Sequence, residues 1–169
     1  MVKHDVYERI ITRYDGLFDL DGLYAAIIDW CKNYGFRWHE KDYKHKKGGE
    51  VEWAWEMTKK VTRYVTYKYT LTIHMWDMKE VPVEGKSKPL TNARLYIWID
   101  SEIGTDWQNR ESKLGRFGGW LGKIYDKRVF SVELADHFDI VWYKAYDLQS
   151  VIKKYFDMET KKNEYAGYL

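Results

Sequence analysis

Apolar residues recur along this chain with two different periods, and the changes between them mark the elements. Residues 2 to 14 alternate. Val6, Glu8, Ile10, Thr12 and Tyr14 share one face, and Tyr7, Arg9, Ile11 and Arg13 share the other, which predicts a first strand that Asp15-Gly16 ends in a turn. The period then lengthens. Leu20, Leu23, Tyr24, Ile27, Ile28 and Cys31 follow at helical spacing behind Asp19, whose short carboxylate suits a helix N-cap, and Gly35 closes the run. A helix over 19–34 follows from these signals.

Alternation returns at Phe36. A strand over 36–44, a turn at His45-Lys46-Lys47-Gly48-Gly49 and a partner strand over 50–57 form a predicted hairpin. Val51, Trp53, Trp55 and Met57 take one face of the second strand; Glu50, Glu52 and Glu56 take the other. The same odd-numbered phase runs on through Val61, Val65, Tyr67, Tyr69, Leu71, Ile73 and Met75. Strands rarely exceed about ten residues, so a break is expected near Thr58-Lys59-Lys60. Both prolines and Gly85 place a loop over 81–90, and a further strand over 91–103 sets Leu95, Ile97 and Ile99 against Tyr96 and Trp98.

Helical spacing resumes with Leu114, Phe117, Trp120, Leu121, Ile124 and Tyr125, in a segment that Gly115, Gly118, Gly119 and Gly122 weaken. A last helix carries Leu134, Phe138, Val141, Ala145, Leu148, Ile152 and Tyr155 on one stripe. Strands and helices are segregated along the chain. The expected fold class is therefore α+β, a mostly antiparallel, aromatic-rich sheet packed by about three helices. A single domain over 1–158 and a polar C-terminal tail over 159–169 complete the expected organisation.

Composition sharpens this picture at one point. The 169 residues hold 28 basic and 26 acidic side chains, so net charge gives no support to nucleic-acid binding. One cysteine, Cys31, rules out an internal disulfide and fits a reducing, cytoplasmic setting. The start has no apolar core of a leader, and no stretch is apolar for the roughly 18 residues a membrane span needs. The unusual feature is an 18% aromatic content, with nine Trp and fifteen Tyr, side chains that serve cores, partner surfaces and ligand pockets alike.

Four short stretches resemble a group of archaeal proteins of similar length that have no known activity. They are Phe18-Asp19-Leu20-Asp21-Gly22-Leu23-Tyr24, Glu52-Trp53-Ala54-Trp55-Glu56, Lys79-Glu80-Val81 and Ile124-Tyr125-Asp126-Lys127. The resemblance spans about residues 14 to 156. It implies an archaeal-type cytoplasmic protein and carries over no catalytic residue. The glycines at 115–122 depart from the pattern.

The chemistry-bearing residues form no recognised constellation. His4, His39, His45, His74 and His137 show no metal-ligand spacing, although His39 and His74 could meet across the sheet near Glu40 or Asp42. No serine sits in a nucleophile elbow, and Cys31 lies in an apolar stripe that disfavours a thiolate. Glu52 with Glu56, and Asp100 with Glu102 and Asp106, are carboxylate pairs whose plainer reading is a solvated face balanced by lysines. The glycine segment lacks the Gly-Lys-Ser/Thr of a phosphate loop. Its apolar stripe between Lys113 and Arg128 has the composition of a helix on a membrane surface, and equally of one packed on a sheet. Tyr64, Tyr96 and Trp98 beside Arg63, Lys68 and Arg94 could stack bases, but no RNA-binding motif accompanies them. No catalytic residue, cofactor or metal is therefore assigned, and an enzyme is the weaker expectation.

The second face of the sheet points furthest. A sheet with one wet face alternates apolar with charged residues, yet here Tyr64, Trp76, Tyr96 and Trp98 lie opposite the apolar row. The leading expectation is a non-enzymatic, intracellular protein-binding or self-assembly module that uses this aromatic face. The alternative is a small-ligand or lipid-binding domain with a pocket between the sheet and the C-terminal helix, lined by Trp53, Trp55, Tyr67, Tyr69 and Trp142.

Overall fold

A computed structural model describes residues 2–46, 49–82, 88–105, 130–156 and 158. The described elements are strands β1 (Val2–Asp5) and β2 (Ile10–Phe18), helix α1 (Leu20–Asn33), strands β3 (Arg37–Lys46), β4 (Glu50–Lys60), β5 (Val65–Val81) and β6 (Leu90–Thr105), and helix α2 (Phe130–Tyr155). All strand pairs are antiparallel, in the order β1-β6-β5-β4-β3, with β2 also paired to β6. The α+β class is as expected, with two helices rather than three among the described residues. The helix expected over 112–125, the basic-flanked stripe of 113–128, the acidic Asp106 and the tail over 159–169 lie outside them.

The alternating pattern at the N-terminus makes two strands, not one. β1 and β2 lie end to end along β6: Val2 to Asp5 stand opposite Thr105 to Glu102, and Ile10 to Phe18 opposite Ile99 to Thr91. Between them Val6 donates its amide to the Ser101 carbonyl at 2.9 Å, and Tyr7 turns the chain with φ of 52°. Sharing two short partners is what lets β6 reach 16 residues, beyond the usual limit. β2 also runs past the expected turn at Asp15-Gly16. Gly16 takes φ of 147°, which a side chain would resist, so the glycine bends the strand without ending it. The break expected at 58–60 falls a few residues later. Thr62 makes the turn, its hydroxyl accepting from the Tyr64 and Val65 amides, and the lysines before it stay in β4.

Both helices lie on the face that carries the odd-numbered residues of β4, β5 and β6. Asp19 caps α1 by accepting from the Gly22 amide at 3.0 Å, and Gly35, at φ of 70°, releases the chain into β3. Helix α1 crosses from the β2 edge to the β3 edge, setting Tyr24 against Trp55 and Trp30 against Tyr69. Helix α2 buries Val141, Ala145, Leu148 and Ile152 against β6, β2 and α1. Polar ties help hold it there, among them Tyr69, which donates to the Val141 carbonyl at 2.8 Å, and Trp30, which donates to Asp147 at 2.7 Å. The outer strand β3 carries Arg37, Lys41 and Lys44 and a bulge between Glu40 and Asp42, devices that discourage pairing with another chain. Among the described residues, no helix is long and apolar enough to cross a membrane.

Candidate functional site: the sheet face opposite the described helices

The even-numbered residues of β5 and β6 point away from both described helices. In register across the sheet, Trp76 stands beside Arg94, His74 beside Tyr96, and Thr72 beside Trp98; on the far side of β6, Arg13 faces Tyr96 and Ile11 faces Trp98. Alternation places these side chains on one face, and pairing brings four rings from two strands together. The imidazole of His74 lies 4.0 Å from the Trp76 ring and 6.3 Å from that of Trp98, centroid to centroid. Tyr96 meets Trp76 edge-on at 5.8 Å and Trp98 at 6.0 Å, and the Arg13 guanidinium sits 4.6 Å over the Tyr96 ring.

Of the four residues expected to form an interface, three come together. Trp76, Tyr96 and Trp98 share the cluster, each partly buried. Tyr64 does not join them: it sits in the β4–β5 turn and packs against the hydrophobic core. Sequence reading missed Arg13 and His74, whose positions depend on strand pairing. It also missed Asp77. A bulge between Trp76 and Lys79 puts Asp77 at φ of 56°, where its carboxylate takes two hydrogen bonds from Arg94, at 2.6 and 3.0 Å. The break in alternation at Asp77-Met78 was the available sign of this bulge. Beside it, Arg13, Asp15, Trp76, Arg94 and Tyr96 line a hollow of about 340 Å³.

Around the rings the face is polar and internally paired. His74 meets Glu50 at 2.8 Å, Lys68 meets Glu56 at 2.9 Å, Lys44 meets Asp42 at 2.5 Å and Arg9 meets Asp100 at 2.6 Å. The hydrogen bond from Lys68 holds the Glu56 carboxyl below its ordinary range, against the opposing effect of burial. Among the described residues cations and carboxylates alternate, so these give the face no single-sign field. His39, opposite Glu56 on β3, and His74, opposite Glu52 on β4, stay apart. No cluster of three or more metal-ligating side chains occurs among the described residues. Cys31 lies on the buried side of α1, and burial pushes its thiol up to about 11, away from nucleophilic use.

The residues expected to line a pocket under the C-terminal helix divide into separate places. Trp55, Tyr67 and Tyr69 are core residues. Tyr69 is bonded to α2 as above, and Tyr67 shares a 2.6 Å hydrogen bond with His137 Nδ1. Burial raises both phenols above their ordinary range. Trp53 and Trp55 stack at 6.1 Å, and their indole N–H groups are buried without a hydrogen-bond partner. Trp142 stands elsewhere, with its ring against Tyr7 at 5.0 Å and Tyr146 at 4.8 Å.

Comparison of the chain with protein-family models, with curated proteins and with solved structures finds no match.

Proposed function

We propose that this protein is a non-enzymatic, cytoplasmic self-assembly module of archaeal type, and that a second copy docks on the aromatic sheet face opposite the described helices. The observation that carries this reading is the ring cluster Trp76, His74, Tyr96 and Trp98 on the face opposite both described helices. Aromatic side chains set within a polar rim are the usual make-up of an interface core. The surrounding charges favour a copy of the chain over nucleic acid. Both signs are interspersed and already paired, which suits a two-fold contact between like surfaces. The lone buried cysteine agrees with a reducing compartment.

The test is substitution within the cluster. Trp98→Thr and Tyr96→Thr keep β-favouring residues at half-buried strand positions, and each is expected to weaken self-association by about 2 kcal/mol or more, the scale of an interface hot spot. Tyr43→Thr, exposed on the opposite face, is the control and leaves association unchanged. Variants at 96 and 98 that assemble like the parent would overturn the reading.

A second reading has one observation in its favour. The partnerless indole N–H groups of Trp53 and Trp55 are donors that a buried water or a ligand acceptor would satisfy. If they hold a co-purifying small molecule, native mass spectrometry will show a discrete mass above that of the chain.

A further inference from the structure

A different surface carries a ligand-binding arrangement of its own. Where β1 gives way to β2, Tyr7, Glu8, Arg9, Ile10 and Ile11 face Trp142, Tyr146 and Gln149 of α2 across a groove of about 580 Å³. That volume falls within the range of small-molecule sites. Three rings wall it at steep mutual angles. Tyr7 and Trp142 lie 5.0 Å apart at 54°, and Trp142 and Tyr146 lie 4.8 Å apart at 88°. Tyr7 reaches this position only through a φ of 52°, a conformation bulky residues rarely adopt, and its ring nevertheless stays 61% exposed. Contacts with Phe138 at 6.3 Å and with Trp142 hold the Tyr7 ring in place, and its exposed part is left to meet an occupant of the groove.

The polar groups choose the occupant. Gln149 is only 7% exposed, and its amide nitrogen is spent on Thr12 Oγ1 at 3.0 Å and the Ile11 carbonyl at 3.5 Å. Its carbonyl oxygen remains as an acceptor on the groove wall. Glu8 adds a carboxylate, and Asp139 adds another at the rim, where it accepts from the Tyr7 hydroxyl at 3.3 Å. The charge of Asp139 is the main cause that lifts the Tyr7 phenol above its ordinary range, so the rim is electronegative. Among the described residues that line the wall, the one cation, Arg9, is paired with Asp100 at 2.6 Å. Ring faces, carboxylates and an acceptor oxygen all favour positive charge, and none of them favours an anion.

We propose that this groove binds an alkylated ammonium group, with Tyr7, Trp142 and Tyr146 as its aromatic walls. The cation is to be sought both as a free small molecule and as a modified lysine side chain.

The experiment is a calorimetric titration of the full chain with choline, with acetyl-trimethyllysine amide, and with 3,3-dimethylbutan-1-ol, the neutral carbon isostere of choline. The expected result is binding of at least one cation about tenfold tighter than the isostere, and the stronger cation then identifies the source. Tyr146→Leu, at a half-exposed position, is expected to weaken that binding about tenfold while leaving the circular dichroism unchanged. Trp142→Leu gives a second, independent loss. Equal binding of the isostere, no heat from either cation at millimolar concentration, or undiminished binding by folded Tyr146→Leu would each overturn the proposal.

Discussion

Tyr14 and Gly16 show how a single missing methyl shapes the β2 edge. The Tyr14 ring folds back along its own strand, stacks on Phe156 at 4.4 Å, and donates its hydroxyl to the Leu17 carbonyl at 2.8 Å. A Cβ at Gly16 would lie 3.0 Å from that hydroxyl on a backbone at φ of 147°. Gly16→Ala is therefore expected to destabilise the fold by about 1–3 kcal/mol in urea denaturation, through strain and loss of the Tyr14 contact. Glycine after aspartate reads as a turn; pairing with Ala93 on β6 makes it a strand position instead, and the neighbouring ring leaves no room for a side chain there. The Lys68–Glu56 pair makes a second claim at this scale. Both side chains are about four-fifths buried, 23% and 20% exposed, and the lysine lowers the Glu56 carboxyl. A depressed carboxylate adds stability that is fully present above its unfolded value of about 4.5 and is lost as pH falls through the lower folded value. Lys68→Met is expected to flatten that acid limb of the stability curve, and an unchanged slope would show that the pair contributes nothing.

At the scale of elements, the period of the pattern was the dependable signal. Helix α1 came from its cap, its stripe and its closing glycine, all local features, and Asp19 and Gly35 act as their chemistry dictates. The stripe Val141, Ala145, Leu148 and Ile152 likewise marked the buried side of α2. What the pattern could not give was length and pairing. β5 extends to 17 residues because β4 and β6 flank it, and β6 because two strands share its other side. The site divides in the same way. Trp76, Tyr96 and Trp98 were legible from alternation alone, whereas His74 and Arg13 join them through register and Asp77 through a bulge. The groove at Tyr7 was not legible at all, since it needs a positive φ between two strands that read as one. The docking of α2 can be tested directly. Leu148→Ala removes a fully buried side chain between helix and sheet and is expected to cost about 2–5 kcal/mol. Tyr69→Phe removes the donor to the Val141 carbonyl and is expected to cost about 1–3 kcal/mol. Both are read by chemical denaturation.

For the whole molecule, the two faces of one sheet differ in what they carry. The helix-covered face holds the core, with Trp55, Tyr69, Leu71, Ile73, Leu95, Ile97 and Ile99 almost without exposure. The other face brings Trp76, Tyr96 and Trp98 together with ion pairs around them, the arrangement on which the proposed docking of a second copy rests. Ion pairs on such a rim contribute little individually, so the rings must supply the affinity. The account therefore predicts association that salt does not abolish. The most direct test is the solution mass of the intact chain by light scattering after size exclusion, over a wide range of protein concentration and in both low and molar salt. Molar salt shortens the screening length to about 3 Å and would dissolve a contact held by surface charge. The predicted result is a mass well above 20.5 kDa that falls only on dilution and survives molar salt. A mass of 20.5 kDa at every concentration would contradict self-assembly through the aromatic face.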